Sequence, residues 1–245
     1  MKRTVMTLIA AVILPLALNA QDLKVISYNI RNSQAKDGTN SWIYRYAATA
    51  EMIQDQQADI IGVQEALPDQ VEFVEKNFKE YKSVGVSPVI IYNKKTVSVL
   101  KSKGTENAAW ALVKDKDTGK KFYIVNVDME SVAAADRKEA LGKVLDIVSE
   151  INSDNLPVVV TGGFYMKPSD SSLADIEAKM SNARKTAPKT DNTGTYNNWG
   201  KNSDIIDHIY YSGFSSCPEY QTVTQRYANR KFVSDHFPLM ILLNF

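Results

Sequence analysis

Three consecutive valines, Val158 to Val160, follow Pro157 and run into Thr161, Gly162, Gly163, Phe164 and Tyr165. A short unbroken apolar run bounded by turn residues reads as a strand buried on both faces. Such a strand must be covered on each side, which points to a layered α/β protein. Ligands in α/β folds gather where these strands end. Yet none of Gly162, Gly163, Phe164 and Tyr165 holds a metal tightly or takes up a proton at neutral pH. The strand end is suited to chemistry but has no carboxylate.

The rest of the chain supplies the covering layers. Residues 23–30 ("LKVISYNI") alternate and then run apolar, as a strand does. Residues 41–57 carry Ile43, Tyr46, Ala47, Ala50 and Ile53 at helical spacing, with Ser41 placed to cap. "ADIIGVQE" is a strand ending at Glu65, and "PDQVEFVEKNF" opens a helix on proline. Short strands are expected at 82–86, 89–92 and 97–100. A hairpin then turns at Asp117-Thr118-Gly119. Residues 135–152 form an amphipathic helix with Leu141, Val144, Leu145 and Val148 on its apolar face. A short helix at 173–180 and strands at "IIDHIYYS" and "FPLMILL" complete the pattern. Strands in both hairpin and crossover settings, with few helices, predict two mixed sheets packed face to face with helices outside.

The first 20 residues read differently. Lys2 and Arg3 precede an apolar stretch that ends in small residues at Ala20, the pattern of a cleaved secretory signal. Its apolar core, Val5 to Leu18, is short for a bilayer span of about 20 residues and is interrupted by Pro15. The expected mature chain is a single domain over 21–245, secreted or periplasmic, with no integral membrane segment. Without the leader, 27 basic and 28 acidic residues remain, a net charge of −1. That balance leaves no strong footprint for duplex nucleic acid, whose nonspecific grip needs a basic excess. The one local exception is "RYANRK", Arg226 to Lys231, which reads as a solvated loop. A single cysteine, Cys217, excludes an intrachain disulfide, so stability must come from the core that 44% apolar content provides.

Five strand ends, "SYNIR", "GVQE", "NVDMES", "TGGFYMKP" and "SDHFP", occur in that order, with "IDHIYYS" before the last. Together they resemble the endonuclease/exonuclease/phosphatase superfamily over nearly all of 23–245. The resemblance implies a four-layer α/β sandwich and hydrolysis of a phosphoester by water with a divalent cation. Mg²⁺ is the implied ion, with Mn²⁺ as a substitute. By the same resemblance, Asn29 positions the phosphate and a metal ligand, while Glu65 and Asp235 are the metal carboxylates. His236 contacts the scissile phosphate, and Asp207 orients His236. A carboxylate holding an imidazole fixes one tautomer and favours the cation. His208, next to Asp207, is expected to pack rather than react.

Three departures set this chain apart. Where the family reads Gly-Asp-Phe-Asn, this chain has Gly162-Gly163-Phe164-Tyr165. The missing aspartate is the group that prepares the attacking water, and general-base help is worth ~10²–10⁴ in rate. Where the family carries a histidine that donates to phosphate, this chain carries Asp128, followed by Glu130 and Ser131. The family's long substrate loop is also missing, and no arginine lies between Arg45 and Arg137.

These departures lead to the expectation of a catalytically impaired protein that keeps a binding role in the old cleft. Any Mg²⁺ there is expected to be weakly held. Candidate ligand contacts are Asp128, Glu130, Tyr165, Tyr196 and Trp199, and the expected partner is a phosphoester-containing small molecule. The alternative is an active phosphoesterase with a rewired site, in which Asp128 or Glu130 replaces the lost carboxylate.

Overall fold

The computed structural model describes residues 22–245; the expected leader, residues 1–20, lies outside them. In chain order the strands are β1 (Leu23–Asn29), β2 (Ile60–Gln64), β3 (Tyr81–Gly85), β4 (Val89–Asn93), β5 (Val97–Gly104), β6 (Ala108–Asp115), β7 (Lys121–Asp128), β8 (Val158–Gly163), β9 (Ser181–Asn182), β10 (Asp207–Ser212), β11 (Ser216–Thr222) and β12 (Leu239–Asn244). The helices are α1 (Trp42–Gln56), α2 (Pro68–Asn77), α3 (Arg137–Ile151) and the single turns α4 (Ala174–Glu177) and α5 (Ala183–Thr186). One sheet runs β11-β12-β1-β2-β4-β3, and the other runs β5-β6-β7-β8-β10-β9. Each has one parallel pair, β1 with β2 and β7 with β8, among antiparallel neighbours. This is the expected sandwich of two mixed sheets.

Three apolar layers hold it together. Between the sheets, Val25, Ile60 and Ile90 of the first face Val113, Ile124, Val159 and Ile209 of the second. Ala48, Met52 and Ile53 of α1 and Val74 of α2 cover the outer side of the first sheet at Ile26, Ile61 and Val63. Leu141, Val144 and Leu145 of α3 cover the second at Val125, Val158 and Val160. The three valines therefore alternate between two apolar layers, as a doubly covered strand requires.

The sheets are also joined by polar groups near the strand ends. The side-chain amide of Asn126 donates to the carbonyls of Val63 (2.9 Å) and Val89 (2.8 Å) across the sandwich. Its Oδ1 accepts from Gln64 Nε2 (2.6 Å) and Thr161 Oγ1 (3.2 Å). This close approach needs Gly62, because a Cβ there would lie 2.3 Å from Thr161 Oγ1 and 2.8 Å from Asn126 Oδ1.

Three local expectations change, and one strand was not anticipated. The buried face of α1 is Arg45, Ala48, Thr49, Met52, Ile53 and Gln56, whereas Ile43 and Tyr46 are 66% and 42% exposed. The helix is turned by Arg45, which is fully buried and donates to the carbonyls of Asn40, Ile30, Arg31 and Val233. Satisfying a buried guanidinium outweighs the apolar stripe. Ser41 precedes α1, but its side chain makes no capping bond. The helix expected at 173–180 is a 3₁₀ turn followed by the single turn α4. The strand β11 carries Pro218 and sits at a sheet edge, where a missing N–H costs no ladder bond.

Replacing Asn126 with alanine would remove the donor to two buried carbonyls and the shortest of the Gln64 amide's bonds, leaving that amide only Ser27 Oγ and the Gly62 carbonyl. Urea unfolding of Asn126→Ala is expected to show a loss on the order of 3 kcal/mol at an unchanged m-value. A loss below about 1 kcal/mol would contradict this role for the amide.

Candidate functional site

Strand pairing brings the predicted residues to one rim. Asn29 stands beside Gln64 in the parallel β1–β2 pair, and Asp128 beside Gly163 in the β7–β8 pair. Asp207, the first residue of antiparallel β10, is opposite Gly163. One contact closes the rim across the sheets: Asp128 Oδ2 accepts from the backbone N–H of Glu65 at 3.2 Å. The other oxygen of Asp128 accepts from Glu130 N–H at 3.1 Å. Asp128 therefore staples two loops. Burial raises its pKa most, and the two backbone bonds oppose that rise.

Three non-glycine residues just beyond the strand ends adopt left-handed backbone: Arg31 (φ 56°), Glu65 (φ 58°) and Tyr165 (φ 55°). Each costs roughly 1 kcal/mol or more. In return, all three side chains meet. Glu65 Oε1 accepts from Asn29 Nδ2 at 2.8 Å and from the Tyr165 hydroxyl at 3.3 Å. Glu65 Oε2 lies 3.6 Å from Arg31 Nη1, and Arg31 Nε lies 3.6 Å from Asp235 Oδ2. The same Nε donates to Asp37 Oδ2 at 3.1 Å. Arg31 belongs to the quoted "SYNIR" but carried no assigned role, and it proves central.

His236 and Asp207 form a buried pair, with Nδ1 2.8 Å from Oδ2. Thr195 fixes the aspartate: its hydroxyl donates to Asp207 Oδ2 and accepts from the Ile206 and Asp207 N–H groups. Burial alone would lower the His236 pKa. The charge and hydrogen bond of Asp207, with the charges of Asp235 and Glu65, outweigh it and push the value up to about 9. The imidazole is 2% exposed, tilted against the Tyr196 ring (4.8 Å between centroids) and the edge of Tyr165 (6.1 Å). His208 points to the opposite face and pairs with the Met166 carbonyl at 2.8 Å.

The Gly163 position is crowded. A Cβ there would meet the Tyr165 ring at 3.0 Å and Asp207 Oδ1 at 3.5 Å. Asp207 Oδ1 is buried and has no hydrogen-bond partner among the described residues. The ring thus takes up space where a side chain at 163 would begin. Burial, then the charges of Glu65, Asp207, Asp128 and Glu130, push the Tyr165 phenol far above the ordinary tyrosine range. At neutral pH it is therefore a hydrogen-bond donor rather than a base. One face of its ring is covered by the Arg137 guanidinium at 5.6 Å. The Trp199 ring lies 6.0 Å from the Arg45 guanidinium. Glu130 stands on the exposed loop after β7, lining an open depression of about 370 Å³ with Asn32, Glu65, Asp128 and Ser131.

The donor set does not fit a tightly held divalent ion. Among the described residues, no three His, Cys, Asp or Glu side chains converge as ligands. The two expected carboxylates, Glu65 and Asp235, both face the Arg31 guanidinium, and Glu65 Oε1 is already bonded by two donors. Mg²⁺ demands several oxygens at about 2.0–2.1 Å in octahedral array.

The endonuclease/exonuclease/phosphatase family model matches residues 26–236, and the chain belongs to that family. Its members are generally metal-dependent. Among solved structures, an endonuclease/exonuclease/phosphatase family protein from Bacteroides thetaiotaomicron is 25% identical, with a TM-score of 0.83 over 91% of this chain and 98% of its own. A mannosyl-6-phosphatase from the same organism is 26% identical, with a TM-score of 0.83 over 91% of this chain and 100% of its own. A family protein from Bacteroides vulgatus is 25% identical, with a TM-score of 0.83 over 92% and 99%. No curated protein matches the chain.

The His236 pair carries a pH signature. The folded state holds the proton up to about pH 9, the unfolded chain only to about 6.5. The stabilisation is complete below about 6.5 and is lost as the pH rises through about 9, on the order of 3 kcal/mol at most. Urea unfolding of wild type and His236→Asn from pH 6 to 9.5 should show the gap between them narrowing as pH rises. A gap that stays constant would refute the charged pair.

Proposed function

We propose that the protein is an exported, catalytically impaired member of its family that holds a phosphoester-containing small molecule in the inherited cleft without turning it over. The observation that carries this reading is Gly163, with the Tyr165 ring against it and its phenol bonded to Glu65. A water above the strand end has no carboxylate from residue 163 to orient it or accept its proton, and the Asp207 carboxylate beside it is buried and committed through its other oxygen to His236 and Thr195. The family's histidine donor is also replaced, because Asp128 spends both oxygens on backbone N–H groups. The sugar-phosphate class is supported by the mannosyl-6-phosphatase, which is 26% identical over 91% of this chain. Export is supported by the charged, apolar and small-residue order of residues 1–20.

One observation favours a working hydrolase, the intact Asp207–His236 pair. That reading needs Asp128 or Glu130 as the replacement base. The bonds that engage Asp128, and the place of Glu130 on an exposed loop, weigh against it.

The test is steady-state release of phosphate from sugar phosphates and from generic monoesters and diesters, with Mg²⁺ or Mn²⁺, beside His236→Ala. Wild type is expected to match the variant within about tenfold, since the retained groups act as a unit with those that are lost. Turnover more than about a hundredfold above the variant, the lower range of general-base help, would establish a working hydrolase.

A further inference from the structure

We infer that Arg31 supplies from within the chain the positive charge that a divalent ion would supply between Glu65 and Asp235, so that the cleft is built to work without a metal. The inference rests on the impaired-site reading above, and it concerns which cation the two carboxylates hold.

The geometry is specific to the guanidinium. Nη1 is 3.6 Å from Glu65 Oε2 and Nε is 3.6 Å from Asp235 Oδ2, so the group lies between carboxylates from two strand ends of the first sheet. Its anchor is Asp37, which accepts from Nε at 3.1 Å and from Nη2 at 3.4 Å. The backbone is fixed as firmly as the side chain. Arg31 N–H donates to Asn29 Oδ1 at 3.0 Å, and the Arg31 carbonyl accepts from Gln70 Nε2 at 3.0 Å and from Arg45 Nη2. These bonds hold the residue in left-handed backbone, a conformation costly for an arginine unless its surroundings enforce it. A side chain that merely solvates a loop needs none of this support.

The two cations are mutually exclusive. A divalent ion bonded to both carboxylates at about 2.0–2.1 Å would occupy the space of the guanidinium. It would also have to displace Arg31 from Glu65 Oε2 and Asp235 Oδ2 and break its Asp37 pairing. An arginine in place of an ion stays charged under all ordinary conditions and cannot be chelated away. It also brings no ionisable water, which agrees with a cleft that binds without hydrolysing.

The experiment is a Mn²⁺ titration of the purified mature protein followed by electron paramagnetic resonance, which counts free ion directly. Wild type should leave Mn²⁺ free to the millimolar range. Arg31→Met keeps the stem and removes the charge, and it should tighten Mn²⁺ binding at least about tenfold, one unit of log K for the removed counter-cation. Arg31→Met combined with Glu65→Gln should lose that gain. Micromolar Mn²⁺ binding by wild type, lost in Glu65→Gln, would overturn the inference, as would Arg31→Met binding within twofold of wild type. If Arg31→Met does not fold, the wild-type and Glu65→Gln titrations decide alone. Tight Mn²⁺ binding without turnover would defeat this inference and leave the impaired-site reading standing. Turnover with no bound Mn²⁺ would do the reverse.

Discussion

The Asn126 side-chain amide, wedged between two sheets where their strands end, is the contact on which the rest of the rim depends. It donates to one carbonyl on each of two strands of the opposing sheet and accepts from both sheets. A buried amide whose polar atoms are all engaged fixes a unique register, because any slip would strand those groups unpaired. Gly62 makes the approach possible by presenting no side chain. Two residues further along β7, Asp128 meets Glu65 just past the end of β2 and continues the same seam into the cleft. The cleft is thus set on a rigid frame.

On that frame, the residues at the rim are engaged by one another. Asp128 is a staple between loops. Tyr165 donates to Glu65 and lies against the space a side chain at 163 would enter. Arg31 neutralises the carboxylates that the family resemblance assigns to metal. Each of these roles is satisfied by partners inside the protein, and such a network resists reorganisation because every broken bond exposes a buried polar group. The pair Asp207–His236 is held by Thr195 and faces Gly163, which presents no side chain.

The sequence carried much of this in local form. Doubly covered strands announce themselves as apolar runs, and the strand ends Asn29, Glu65, Asp207, Asp235 and His236 were legible because the motifs bracketing them are local. The face of α1 was not legible: Arg45 among Ile43, Tyr46 and Ala47 looks like a surface residue until the carbonyls of Ile30 and Val233 are brought to it. Strand β11 was hidden by Pro218, tolerated only because the strand is an edge. Arg31 was visible but mute, since its meaning depends on Asp37, Glu65 and Asp235 converging on it from separate segments. Thr195 lay inside a loop read for its aromatic residues, and its bond to Asp207 depends on the folded position of that loop.

The central claim is that no acid stands where water would be prepared for attack on phosphorus. A crystal structure grown with a sugar phosphate and Mg²⁺ tests it most directly. The account predicts an intact phosphoester, with Tyr165 still bonded to Glu65 and no carboxylate directed at a water in line with the leaving oxygen. Cleaved product, with Glu130 or another acid moved into the space beside Gly163, would contradict it.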